Sequence, residues 1–234
     1  MKDILNSQVF GVLISLIAYE IGVLLMKKFK LSVFNPLLVA IIILITFLSV
    51  FHIKYDDYNN GGQIISFFLA PATIALAVPF YKNFSLFKKN AVPILAGIIC
   101  GSISGILCII ILSKLFGLSD ILTKSLIPKS ITTPIGMCLS KQLGGIPSIT
   151  VFAIIITGIL GSIIGPLLYK IFKMNDKVAL GIALGSASHA VGTAKAMEIG
   201  EVEGAMSSIT IVITGIVTVL LAPVLWNFYI NIFH

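Results

Sequence analysis

The feature that most constrains this chain is where its charges fall: almost all sit in short gaps between long apolar runs. A membrane-spanning helix needs about 20 mainly apolar residues. Seven runs reach or approach that length: 9–26, 37–51, 64–80, 91–112, 149–171, 178–199 and 205–230. Charged residues make up 11% of the chain and hydrophobic ones 58%, against about 25% charged in an ordinary soluble domain. A soluble core of 234 residues cannot hide so much apolar surface, so lipid must be the solvent for much of it. The first run is too long for a signal peptide and stays as a span. Without a linker or low-complexity stretch, residues 1–234 read as a single transmembrane domain. The expected fold class is an all-α polytopic membrane protein: about seven transmembrane helices plus a re-entrant or broken segment, in the cell membrane.

The net charge of +7 comes from lysine alone, because the chain has no arginine. The lysines lie between the runs, where they orient a protein in the bilayer. No aromatic-basic stripe accompanies them, so nucleic acid is excluded as a partner. Lys27, Lys28 and Lys30 follow one run, Lys82, Lys88 and Lys89 another, and Lys170, Lys173 and Lys177 a third. The positive-inside rule places all three gaps in the cytoplasm. That requires segment 118–145 to enter and leave on one side. Pro128, Ser130, Thr132, Thr133, Pro134, Lys141 and Gly144-Gly145 interrupt this segment. It reads as two half-helices dipping into the membrane or as one broken span. The re-entrant choice puts the N-terminus outside and the C-terminus inside. Cys100, Cys108 and Cys138 form no CxxC pair and are expected as buried free thiols.

A possible internal repeat follows. Asn35-Pro36 opens one run and Ile146-Pro147 another; small-residue breaks at Pro71–Pro79 and 186–194 come later in each. Units 35–113 and 146–232 would then be three-helix repeats of opposite orientation, the architecture of many secondary transporters. Chance alignment of two Gly/Ala-rich spans is the other explanation.

Lipid cannot satisfy free backbone groups, so breaks inside spans must face protein or a watery cavity. The first break holds Pro71, Thr73 and Pro79, and a simple proline kink is its plainer reading. In the second, Ser130, Thr132 and Thr133 precede Pro134, a pattern that starts a helix with capping hydroxyls and proline in its first turn. Within the membrane such a start offers an anion site; outside it, an ordinary cap. The third break, 185–198, places His189 amid Ser186, Ser188 and Thr193, with Lys195 and Glu198 after it. His189 is either a proton-coupling group or a neutral histidine satisfied by a neighbouring carbonyl. Lys195 is a candidate for binding an anion or for a local ion pair with Glu198. Thr73, Ser130, Thr132, Thr133, Ser186, Ser188, Thr193 and Lys195 are thus the candidate substrate-binding residues. Glu20, far from these breaks, reads as interfacial or helix-pairing. No nucleophile elbow, zinc, P-loop or dinucleotide fingerprint is present, so no enzyme, metal or cofactor is expected.

At these segments the chain resembles the LrgB/CidB family. The stretches are GGQIISFFLAPATIALAVPFYK (61–82), LIPKSITTPIGMCLSKQLGGIPSIT (126–150) and GIALGSASHAVGTAKAMEIGEVEGAMSSI (181–209). The resemblance covers roughly Asn35 to Pro223. It implies antiholin-like or holin-associated proteins that modulate murein hydrolase activity, cytolysis (autolysis) and programmed cell death beside a small holin-like LrgA/CidA-type partner. It also implies carriage of small carboxylates, because plastid relatives carry glycolate and glycerate and some bacterial pairs are linked to pyruvate uptake. The residues themselves favour transport: a monocarboxylate permease or permease subunit, possible proton coupling included, with self-association left open. The alternative is a regulator of a holin-like pore that moves nothing.

Overall fold

The computed structural model describes residues 7–29, 34–68, 71, 74–75 and 77–233, and all its regular structure is helical. The chain is a polytopic helical membrane protein. Four helices are long and apolar enough to cross a bilayer: α1 (Gln8–Phe29), α6 (Ala91–Leu115), α9 (Pro147–Ile171) and α11 (Glu201–Phe233), the last qualifying over Glu201–Asn231. Their outward faces are apolar, with Leu13, Leu16, Ile111, Phe152, Leu220 and Phe228 all exposed. Many buried positions are hydroxyls, including Ser125, Ser140, Thr150, Ser207 and Thr210. Apolar outside with small polar residues at helix contacts is the distribution lipid selects.

The chain divides into two compact units, Met1–Ala75 and Leu76–His234. In the first, α1 packs on α2 (Pro36–Val50) and α3 (Tyr55–Phe67). Asn35 caps α2, its Oδ1 accepting from Leu37 N at 3.0 Å with Pro36 in the first turn. Gly11 of α1 faces Gly61 of α3 so closely that a Cβ on either would strike the other's backbone. Ser15 Oγ and Tyr58 Oη, 2.9 Å apart, tie the same contact. Glu20 is exposed on α1.

In the second unit, α4 (Ala77–Lys82) and α5 (Phe84–Lys89) lead into α6. Helices α6 and α11 run parallel: Ile94 and Ile98 pack with Ala205 and Met206, while Ile106 and Ile110 pack with Ala222 and Trp226. Helix α9 runs between two chain reversals. The first comprises α7 (Asp120–Leu126), a 3-10 turn (Ile127–Ser130) and α8 (Thr133–Leu143). It closes on itself: Ile146 N donates to Ser125 Oγ at 2.7 Å, and Thr150 Oγ1 donates to the Ser125 carbonyl at 2.7 Å. The chain therefore returns to the level it left, and 118–145 is a hairpin rather than a crossing.

The second reversal was not expected. Run 178–199 reads as a span, but α10 (Lys177–Ile199) is two helical arms broken at His189, where φ is 42° and ψ is −132°. The arms lie side by side. A Cβ on Gly192 would strike the Leu184 carbonyl, and Leu180, Leu184 and Ala196 form one buried cluster. Both arms lie along the start of α11. Gly181 abuts Glu203 and Gly185 abuts Ser207 on the outgoing arm, while Thr193 meets Ser207 and Met197 meets Gly204 on the returning one. Arms of about ten residues reach only about 15 Å at 1.5 Å per residue, half a hydrocarbon core.

This second hairpin corrects the expected path of the chain's end. Helix α11 starts beside the lysine-rich gap 170–177 and runs to the opposite end. There Trp226 and Tyr229 lie under the ammonium groups of Lys124, 5.3 Å from the ring centroid, and Lys114, at 6.0 Å. If 170–177 is cytoplasmic, the end of α11 is outside, not inside as expected. The cysteines are a second correction: all three are free but exposed, because the surfaces of α6 and α8 that carry them face outward or into a cleft.

Candidate functional site

The two hairpins enter the second unit from opposite ends and their tips converge along α9. Gly136 of the first packs on Thr150 and on the Ile154 side chain. His189, at the tip of the second, bonds through Nε2 to the carbonyl of that same Ile154 at 2.9 Å. A carbonyl only accepts, so Nε2 carries a proton in this arrangement. The imidazole lies on Gly158, where a Cβ would come within 2.8 Å of its Nε2. One turn on, a Cβ at Gly161 would overlap Ser188 Oγ. Two glycines of α9 thus make the room in which the second tip sits.

Beside the tips opens a cleft of about 850 Å³. Leu160, Ile164, Leu168, Phe172, Leu180 and Leu184 give it a largely apolar wall. Its polar lining comes from α6 (Ser104, Cys108), the first tip (Lys129, Ser130), α9 (Thr157, Tyr169) and the second tip (Ser186, Ser188). Lys129 is the one charged residue in that lining, and no carboxylate is among the lining residues. Its Nζ donates to Ser130 Oγ at 3.3 Å, and among the described residues no carboxylate pairs with it. Ser188 Oγ is fully buried and has no hydrogen-bond partner. A partly buried ammonium with no counter-charge in an otherwise uncharged lining is an arrangement that an incoming anion completes.

The sequence candidates separate on this geometry. Ser130, Ser186 and Ser188 come together at the cleft. Thr132 precedes α8 and Thr133 begins it, with Pro134 in the first turn as expected, but Thr132 makes no side-chain cap bond and neither threonine lines the cleft. Thr193 is fully buried and bonded to Ser207 Oγ at 2.7 Å, tying the returning arm to α11. Lys195 pairs with Glu198 at 2.8 Å, the local ion pair weighed above, and stands away from the cleft. His189 takes the carbonyl partner of its plainer reading. Pro71 is exposed and Pro79 lies within α4, while Thr73 lies outside the described residues. Lys129 was missed. In sequence it looked like one more loop lysine; the apolar residues flanking it, Leu126, Ile127, Pro128 and Ile131, were the available signal.

Comparison with known proteins agrees with this picture at the level of the whole chain. The sequence model of the LrgB-like family matches residues 15–228. The chain is 46% identical over 219 residues to the antiholin-like protein LrgB of Bacillus subtilis (strain 168), covering 93% of this chain and 95% of that protein. It is 44% identical over 220 residues to the protein of the same name from Bacillus cereus (strain B4264), covering 94% and 96%. No solved structure matches.

Proposed function

The chain belongs to the LrgB-like family, and from that premise we propose that its cellular role is antiholin-like. In this reading it sits in the cell membrane beside a small holin-like protein and restrains lysis, including the murein hydrolase activity and programmed cell death that follow. The observation that carries the role is the near full-length match to proteins named antiholin-like LrgB.

The cleft favours a second, molecular reading compatible with the first: passage of a small monocarboxylate of the pyruvate, glycolate or glycerate type. Lys129, on the tip of the first hairpin with no carboxylate partner among the described residues and facing the cleft that the second tip also lines, supports it. Discontinuous helices at mid-membrane are where carriers hold substrate. Altered carboxylate or proton balance would then reach the lysis machinery without contact with a hydrolase. His189, on the tip that borders the cleft, is the candidate for proton coupling.

Two measurements test these levels separately. Deleting the chain while keeping the holin-like partner should advance lysis; an unchanged lysis schedule would remove the antiholin role. Proteoliposomes, with and without the partner and under an imposed pH gradient, should take up labelled pyruvate, glycolate or glycerate. No uptake under any of these conditions would leave a regulator that moves nothing.

A further inference from the structure

We infer that the cleft is an amphipathic groove whose preferred ligand is a monocarboxylate with an apolar tail: the Lys129 ammonium takes the carboxylate, and the side chains along α9 take the tail. The inference rests on the carboxylate reading of the cleft. It adds the substrate class, in which alkyl acids rank above hydroxy acids of similar length.

Three observations support it. First, the groove is long. Thr157, Leu160, Ile164 and Leu168 of α9, with Phe172 just beyond it, recur every three or four residues, so one face of the helix lines the groove. From Thr157 to Phe172 that face runs about 22 Å at 1.5 Å per residue. Second, its two ends differ. Lys129 enters at the Thr157 end, because the neighbouring Pro128 carbonyl packs at Gly136 beside Thr150 and Ile154, one turn before Thr157. His189 rests on Gly158, so the second tip reaches the same end and brings Ser186 with it. Toward Phe172 the lining turns apolar, and its one polar side chain, Tyr169, packs against the cluster of Leu180, Leu184 and Ala196. Third, the charge is single and stands at the polar end: Lys129 is the only charged lining residue, and no carboxylate pairs with it among the described residues.

A very small acid would satisfy the ammonium and leave most of a cleft of about 850 Å³ to other contents. Each methylene added to the acid instead moves from water onto the leucine and isoleucine wall, which strengthens binding by about two- to fourfold. A hydroxyl in the same place loses its water partners and finds no acceptor on that wall. Glycerate therefore binds more weakly than butyrate.

Cys108, also in the lining, supplies a native reporter. In the full chain carrying Cys100→Ala and Cys138→Ala, modification of Cys108 by a neutral methanethiosulfonate is timed against increasing acid. The concentration giving half protection should fall by about two- to fourfold per methylene from acetate to hexanoate. Hexanamide, of the same length without the charge, should need about tenfold more than hexanoate. Lys129→Gln should raise the concentration for every acid by about tenfold or more and leave the chain-length slope intact. Leu160→Ser, at a half-exposed position of the wall, should leave acetate unchanged and reduce the slope.

Equal half-protection concentrations from acetate to hexanoate overturn the tail assignment, as does glycerate protecting as well as butyrate. A series that Lys129→Gln does not shift, or hexanamide protecting as well as hexanoate, is acyl-chain partitioning into an apolar groove and overturns the ammonium's part. Pyruvate uptake with a flat or absent series overturns the substrate class and leaves the permease reading standing. Neither uptake nor protection in wild type overturns both.

Discussion

The two hairpins reach the same level of α9 by different means. The first is stitched with hydroxyls: Thr150 Oγ1 bonds the Ser125 carbonyl and Ser140 Oγ, each at 2.7 Å, and Ser125 Oγ accepts from Ile146 N. These bonds lie at its base, and proline and glycine punctuate its turns. The second has neither proline nor hydroxyl stitching at its reversal. It turns at a histidine with positive φ; the tip is held by one imidazole–carbonyl bond, and the arms by glycine contacts with α9 and α11 and by the Thr193–Ser207 bond. A non-glycine residue in such a conformation costs about 1–3 kcal/mol. One hairpin is clamped, the other strained at its apex, and strain of that kind collects at switch points and binding sites. The second tip is therefore the candidate moving part, and the first the fixed wall.

The contrast can be broken by substitution. Gly192→Val should be the most damaging change, about 3 kcal/mol or more, because its side chain meets the Leu184 carbonyl and lies 2.6 Å from Ser188 Cβ; denaturant titration in detergent measures it. Thr150→Val should cost about 1–3 kcal/mol by orphaning the buried partners of its hydroxyl, read by the same titration. If that change leaves stability untouched, the first hairpin is not clamped by its base.

Smaller changes sharpen the picture at His189. Substitution by glycine relieves the strained φ but loses one hydrogen bond and the packing of a buried imidazole, so His189→Gly should destabilise only in part. His189→Val, β-branched at positive φ, should be clearly worse. His189→Ala should insert normally and abolish or uncouple flux; proton-coupled uptake at the wild-type rate would remove the histidine from coupling. Least of all, Lys195→Gln should leave stability and uptake unchanged, since an exposed i,i+3 pair contributes at most about 1 kcal/mol.

The first hairpin was legible in sequence because its interruptions are chemical: Pro128, Pro134 and Gly144-Gly145 cannot continue a span. The second was legible only as a break. Residues 178–199 have a span's length and no proline, and the reversal depends on a backbone dihedral that composition does not report. Its glycines pointed to close packing, but packing of two arms on α11 and packing of one crossing on its neighbours look alike in a string of letters. The cleft serines stood out because small polar residues in apolar runs are conspicuous. Lys129 did not, because a lysine between runs reads as an orienting charge until the hairpin carries it inward.

Sided labelling of single cysteines tests the opposed-hairpin arrangement most directly. In a background free of native cysteine, Lys124→Cys, Lys141→Cys, Lys177→Cys and Glu201→Cys would each be probed with an impermeant maleimide from one face of the membrane. The account predicts that positions 124 and 141 label together from one face, and positions 177 and 201 together from the other. Labelling of 177 and 201 from opposite faces would make α10 a crossing and contradict it.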